Sequence, residues 1–328
     1  MRIAFRTKGN HKQGMGDVIG SLAIADAFRA KGAEIMFIVD NDKEALRCIE
    51  KHGYTVALVQ SEGEEVSNLI SFRPDAIIVN QLNNPPQYLK NLKPHARLLA
   101  TVDDAGEGAK VADLRFNPLY RAPDAFYGPE FAPLRKEFKK VDEKPCIRKR
   151  VKNILVTLGG SDTYGFTPKV VSALSDIPRE ISITVLLGPA FRHGEELKKA
   201  LRDADRPFTI VRDVNANEML ALIARADIVV CSGGNTLYEV ACLGAPAVIV
   251  CSEPFEEETA ERMEEKGFGI NLGFGKNLEM KRIFKAVNDL MENYKLRLQM
   301  GKKGKKLVDG RGAERIAETI EKKLGEAP

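Results

Sequence analysis

Short runs of apolar and β-branched residues alternate along this chain with stretches in which apolar positions recur every three or four residues. In the first third, residues 2–5, 34–39, 55–59, 76–79 and 97–102 have the strand pattern. Helical patterns fill the gaps. The first, over 18–31, carries Ile19, Leu22, Ala23, Ala27 and Ala30 as one stripe, and Lys31-Gly32 ends it. Strand, helix and strand in succession make a βαβ unit, which requires a parallel sheet. From 117 to 150 the alternation stops and prolines gather at Pro118, Pro123, Pro129, Pro133 and Pro145, so this stretch reads as a linker. The alternation resumes with strands over 154–157, 181–187, 208–211, 228–231 and 247–250, and helical patterns over 278–292, 295–307 and 313–324 close the chain. The expected architecture is α/β, with two Rossmann-like parallel-sheet lobes facing across a cleft. An N-terminal acceptor lobe spans 1–116, a proline-rich interlobe segment 117–150, and a C-terminal lobe with closing helices 151–328. Ligands of such sheets sit outside the carboxyl ends of the strands, so the loops there are where chemistry belongs.

Composition agrees with two units and removes several classes of function. A length of 328 residues exceeds the usual domain, which holds about 100–200 residues. No apolar run approaches the ~20 residues that cross a bilayer, and the first residues run into a strand without a leader pattern. A cytoplasmic protein without integral membrane contact is expected, with peripheral association left open. Net charge is only +4, tryptophan is absent and aromatics make up 7% of the chain, so nucleic acid is not expected as a partner. The basic run Lys302-Lys303-Gly304-Lys305-Lys306 reads as a solvated helix face. Cys48, Cys146, Cys231, Cys242 and Cys251 are scattered and mostly within apolar runs, which suits reduced core thiols. They form no CxxC pair, and His11, His52, His95 and His193 lie far apart, so neither a metal nor a cofactor is expected.

Two glycine loops carry the binding chemistry. The strand over 228–231 runs into Ser232-Gly233-Gly234-Asn235-Thr236 and then a helix over 237–243, an arrangement that aims unpaired amide N–H groups at an anion. The plain structural reading of the same residues is a capping box, Thr236 at the N-cap and Glu239 at N3. Capping and anion binding are compatible, and Glu239 is also placed to accept hydrogen bonds from ribose hydroxyls. Leu158-Gly159-Gly160-Ser161-Asp162 follows the first strand of the same lobe and precedes a helix near Thr167, and the two loops together suggest a diphosphate. In the first lobe, Gly14-Met15-Gly16-Asp17 opens a helix, but residues 7–13 separate it from the strand, which argues against a dinucleotide fingerprint. Asp17 reads either as a first-turn charge or as a general base whose basicity the helix end lowers. His11 is a second candidate base. Asp203-Ala204-Asp205 reads as a polar helix end, while Asp103-Asp104 suits a turn or a cleft.

Gly233-Gly234-Asn235-Thr236-Leu237-Tyr238-Glu239, with Gly244-Ala245-Pro246, resembles the donor-binding signature of GT-B glycosyltransferases related to MurG. The segments 156–162, 127–138 and 309–316 are similar to the PseG and SpsG group, and the likeness spans nearly the whole chain. PseG-like proteins remove UDP from a diacetamido-trideoxy-hexose in pseudaminic acid synthesis, and SpsG-like proteins are associated with surface polysaccharide production. The resemblance implies that Gly233, Gly234, Asn235 and Thr236 hold a diphosphate, that Glu239 holds ribose, and that the loop ending at Val214 meets uracil. Gly14 and Gly16 match the family's N-terminal loop. Two positions depart: Asp17 stands where the family places a histidine base, and Glu256 where it places a glutamine. An acidic side chain at 256 disfavours the same contact unless it is turned away or paired. The implied function is a metal-independent UDP-sugar enzyme that cleaves the anomeric C–O bond with inversion, passing the sugar to an acceptor sugar or to water. A non-catalytic nucleotide-sugar binder and a sugar-nucleotide epimerase remain as alternatives.

Overall fold

The computed structural model describes residues 1–10, 14–139 and 147–326. His11 and Cys146 therefore lie outside the described residues. The others form two compact units, one of Met1–Asn10, Met15–Lys136 and the described part of Gly310–Pro328, the other of Gly14 and the described part of Glu137–Asp309.

The first unit alternates strand and helix as its pattern predicts: β1 (Arg2–Thr7), α1 (Gly16–Arg29), β2 (Glu34–Asp40), α2 (Lys43–Lys51), β3 (Thr55–Val59), α3 (Glu62–Phe72), β4 (Ala76–Asn80), α4 (Pro86–Leu92), β5 (Leu98–Val102), β6 (Leu114–Asn117) and β7 (Phe126–Tyr127). All pair in parallel in the order β3-β2-β1-β4-β5-β6-β7. Central strands covered on both faces must be apolar throughout, and β4 and β5 are buried along their whole lengths. Phe5 stacks on Phe37 at 5.1 Å and meets Phe28 edge-on, which locks α1 to the sheet. The strand order reverses between β1 and β4, so the crevice for a ligand opens beside the loops that follow these two strands.

After the short α5 (Lys136–Lys139), the second unit runs β8 (Asn153–Thr157), α6 (Phe166–Ala173), β9 (Ser182–Leu187), α7 (Gly194–Asp203), β10 (Thr209–Arg212), α8 (Ala216–Arg225), β11 (Ile228–Cys231), α9 (Asn235–Leu243), β12 (Ala247–Cys251), α10 (Glu256–Glu265), β13 (Ile270–Phe274), α11 (Met280–Glu292) and α12 (Tyr294–Leu307). Its strands are also parallel, in the order β10-β9-β8-β11-β12-β13, and the reversal falls between β8 and β11. The two glycine loops expected to bind phosphate follow these two strands.

Two expected boundaries move. The segment 117–136, read as linker, belongs to the first unit, because β7 extends its sheet and Phe126 stacks at 5.1 Å on Phe116 while both rings touch Phe131. The last helix, α13 (Gly312–Glu326), follows the second lobe in sequence and is expected with it, but packs on α1 in the first unit. Its buried stripe is Ala313, Ile316, Ala317, Ile320 and Leu324. Its anchors are a Lys31–Glu321 ion pair and a 2.9 Å bond from Arg97 Nη2 to the Leu324 carbonyl. Gly312 lies so close to the Ala132 backbone that a Cβ would fall 2.1 Å from its carbonyl oxygen, which excludes any side chain there.

Candidate nucleotide-sugar site

In the second unit, four strand-end loops converge. The turn after β8 needs Gly159, at φ +82°, and a Cβ there would lie 3.5 Å from Ser232 Oγ in the loop after β11. Gly188, after β9, packs on Gly160 so tightly that a Cβ would fall 2.4 Å from the Gly160 carbonyl oxygen. From the loop after β12, Ser252 Oγ donates to the Leu158 carbonyl at 3.3 Å, and the Glu253 carboxylate accepts from the Thr163 hydroxyl. Gly159, Gly160, Ser232, Gly233 and Gly234 are thus brought together at the switch point of one sheet. Val214 lies apart from that crossing, in the loop after the edge strand β10.

The two helix starts in this cluster differ. Asp162, buried and at φ +44°, accepts from the Phe166 and Thr167 amides at 2.8 and 2.7 Å, so α6 carries its anion within the chain. α9 has no side-chain cap: Gly234 is its N-cap and Asn235 its first residue. The capping-box reading is thereby corrected. The helix begins one residue before Thr236, so Thr236 and Glu239 lie inside it, with Glu239 buried on its first turns. Asn235 and Thr236 remain partly exposed at its positive end.

Glu256 changes the picture of the glycines. Its Oε2 accepts from the amides of Ser252 at 2.7 Å, Gly233 at 3.1 Å and Glu253 at 3.4 Å. A Cβ on Gly234 would lie 2.8 Å from its Oε1, and one on Gly233 would lie 2.9 Å from its Cβ and its carbonyl oxygen. The glycine pair therefore admits Glu256 as well as any ligand. Burial pushes the Glu256 carboxyl up to about 7, against the pull of the three amides. The acidic residue expected to need pairing is paired, and it holds the Gly233 amide. Sequence spacing gives no sign of this, because the bonds join residues up to 23 positions apart.

In the first unit, Asp17 stands at the second residue of α1, whose N-cap is Met15, and its side chain caps nothing. Burial is the largest influence on its carboxyl and Asp103 adds like-charge repulsion, so its pKa is pushed up to about 8. Its residue still keeps some solvent contact. A helix end favours the charged form, and burial and Asp103 act in the opposite direction. Asn80 Nδ2 holds the Asp17 carbonyl at 3.0 Å and Ser21 Oγ at 3.1 Å. Asp103 turns at φ +51° and accepts from the Leu119 amide, whereas Asp104 ties Asn84 and Gly106 into a turn. Gly16 opens α1, and Gly14 has φ +81°. The carboxyl edge of this sheet also holds Thr7 Oγ1, Asn80 Oδ1, Thr101 Oγ1 and Asn117 Oδ1, all buried and, among the described residues, without a hydrogen-bond partner. These sequence reasoning missed. The available signal was a polar residue at or next to the ends of β1, β4 and β5; the short β6, with Arg115 in its middle, gives no apolar run to read.

Other candidates resolve simply. Asp203 ends α7 and Asp205 pairs with exposed Arg179, as a polar helix end should. Cys48, Cys231, Cys242 and Cys251 are free thiols. Among the described residues no helix is long and apolar enough to cross a membrane, and no group of three His, Cys, Asp or Glu side chains is arranged to hold a metal ion.

Comparison with known proteins adds three likenesses and a family match. The family described as glycosyltransferase family 28 C-terminal domain matches residues 153–319. The chain is 25% identical to the spore coat polysaccharide biosynthesis protein SpsG of Bacillus subtilis, over 98% of each chain. It is 29% identical to an uncharacterized protein of Methanocaldococcus jannaschii over 79% of its own length, and spans only 57% of that relative. Among solved structures, the S. aureus MnaA-UDP co-structure superposes with a TM-score of 0.68 at 13% identity, covering 100% of this chain and 98% of that one. That likeness is one of fold, and the two parallel-sheet units are of the GT-B class.

Proposed function

The chain belongs to the family of the glycosyltransferase family 28 C-terminal domain, and on that premise we propose that it is a UDP-sugar enzyme that cleaves the anomeric C–O bond with inversion. One observation carries the reading. The two glycine loops of the second unit meet at the switch point of its sheet, beside a helix start with no side-chain cap. Negative charge builds on the departing diphosphate in the transition state. The positive end of α9 offsets it at Asn235 and Thr236 without a metal ion. Ser232, Gly233 and Gly234 shape the approach, Glu239 is assigned to ribose and Val214 to uracil. The UDP held by a protein of the same fold, and the polysaccharide role in the name of the Bacillus relative, support this choice of ligand and pathway class.

Asp17 is assigned as the base, with Gly14 and Gly16 forming the loop that carries it. A carboxylate whose pKa is about 8 is a far stronger base than an ordinary aspartate, and takes a proton from water or a sugar hydroxyl more readily. The acceptor is an acceptor sugar or water. The test is Asp17→Asn: UDP affinity by calorimetry is unchanged and turnover is lost, whereas full turnover overturns the assignment. Mass spectrometry of products from UDP-sugars, with and without acceptor sugars, separates transfer from hydrolysis. UDP binding without turnover on any of them would make the chain a nucleotide-sugar binder instead.

A further inference from the structure

The loop after β12 and the first turn of α10 gather negative charge beside the place assigned to a diphosphate. Glu253, Glu256 and Glu257 stand there, and none of them has an ion pair among the described residues. Arg262, the one cation of α10, donates to the Tyr238 hydroxyl at 2.6 Å. A helix start favours acidic neighbours, which accounts for Glu257, whose Oε1 accepts from the Phe274 amide at 3.1 Å. It does not account for the other two. Glu256 turns back from α10 to the Gly233 amide, and Glu253, outside the helix, accepts from the Thr163 hydroxyl in the loop after β8. Like charge from Glu253 adds to burial in raising the Glu256 carboxyl. Carboxylates set against one another in this way are costly to ionise unless a ligand brings the opposite charge.

Glu256 divides its two oxygens. Oε2 takes the amides of Ser252, Gly233 and Glu253. Oε1 has no hydrogen-bond partner among the described residues, and it is not one of the unpartnered atoms sealed from solvent. The residue is only 7% exposed, yet Oε1 lies 2.8 Å from where a Gly234 Cβ would stand, so it borders the glycine loop. Strand order gives it a place along the ligand. With uracil at the loop after β10 and the diphosphate at the loops after β8 and β11, the next strand in the same direction is β12. The group beyond the diphosphate, which is the sugar, then comes over Glu253 and Glu256. An amide serves a neutral hydroxyl as well as a carboxylate does, and the carboxylate gains where its partner is a cation. A metal ion is the poorer match. Among the described residues no three His, Cys, Asp or Glu side chains are arranged to hold one, and Oε2 is already taken by amides.

We propose that the sugar carries an unacylated amine, whose ammonium is bound by Glu256 Oε1 with Glu253 beside it. This substrate class rests on the UDP-sugar reading above. The full chain is titrated by calorimetry at pH 7, in EDTA, with UDP and with pairs of UDP-hexosamines whose nitrogen is either a free amine or N-acetylated. The pairs place that nitrogen on each ring carbon in turn, and within a pair the diphosphate's contribution cancels. At least one free amine binds about tenfold tighter than its N-acetyl partner. Glu256→Gln removes most of that preference while UDP itself binds at least as tightly as to the wild type, and Glu253→Gln narrows it by a smaller factor. The proposal is overturned if no free amine is preferred in any pair, or if the preference survives Glu256→Gln. It is also overturned if magnesium in place of EDTA tightens the N-acetyl forms to match the amines and Glu256→Gln abolishes that gain, which would make the carboxylates metal ligands. UDP binding without any amine preference removes the substrate class and leaves the UDP-sugar reading standing. Failure of UDP and every UDP-sugar to bind overturns both.

Discussion

Two carboxyls, the partly exposed Asp17 and the buried Glu256, set the behaviour of this protein at the scale of single residues, and desolvation raises the pKa of both. If Asp17 is the base it must be ionised to act, so turnover should climb with pH through about 8 and level off above it. A rate that is flat from pH 6 to 9 would exclude that role. Ionised Glu256 puts a negative charge against the amides that a diphosphate would approach. Affinity for a UDP-sugar, whose diphosphate does not titrate in this range, should therefore rise as pH falls through about 7. Glu256→Gln removes the charge, so at pH 8 it should bind about tenfold tighter than the wild type and lose the pH dependence. Calorimetry at pH 6 and 8 on both proteins measures this. The same shifts act on folding. Each folded-state pKa lies above its ordinary value of 3.8 or 4.5, so the stability these groups contribute is complete at acid pH and is lost as pH rises through about 7 and about 8. The double variant Asp17→Asn, Glu256→Gln should show a smaller drop in Tm between pH 5 and 8 than the wild type. The identity of both positions was legible in the sequence, but their ionisation was not: it depends on burial and on Asp103, which a helix-end argument for Asp17 leaves out.

Elements explain which parts of the fold could be read in advance. Strands β1, β2, β4, β5, β11 and β12 are apolar runs because both their faces are covered, and that pattern survives in one dimension. β7 has two residues and β13 is half-buried along its length around Gly273, so neither rises above the pattern of a loop. The glycine loops were legible as helix starts, while the tightness of their surroundings was not. Gly233 is the sharper case: a Cβ there would meet the Glu256 Cβ and backbone oxygen at 2.9 Å, and backbone cannot swing aside. Gly233→Ala should cost about 1–3 kcal/mol of stability through overpacking, in addition to weakening UDP. At Gly234 the obstacle is the Glu256 carboxylate oxygen at 2.8 Å, which can shift only by loosening its bonds to the Ser252, Gly233 and Glu253 amides. Gly234→Ala should therefore cost less Tm than Gly233→Ala and disturb mainly ligand affinity. Equal losses of Tm in urea-free thermal melts of the two variants would show that both glycines serve packing alone.

At the scale of the whole molecule, sequence order and spatial grouping part company at the C-terminus. Residues beyond Asp309 follow the second unit in the chain yet complete the first, because the apolar stripe of α13 finds its partner on α1. An amphipathic period identifies a helix but not the surface it covers, which is why the reading of 313–324 as a helix of the second lobe was right about the element and wrong about its place. The consequence can be tested on stability. Ile316 and Ile320 are fully buried, and truncating either to alanine should cost about 2–5 kcal/mol. The loss should appear in the first unit. Hydrogen exchange would quicken at amides of α1 and β1 while those of β8 and β11 keep their protection, and calorimetric UDP affinity would change less than stability does. If the second unit lost protection instead, α13 would belong where its sequence position suggested. Removing everything after Asp309 should have the stronger form of the same effect. It leaves the face of α1 that packs on α13 and the Ala132 carbonyl region without their cover, and would disable turnover by unfolding the unit that carries Asp17 rather than by touching the nucleotide site.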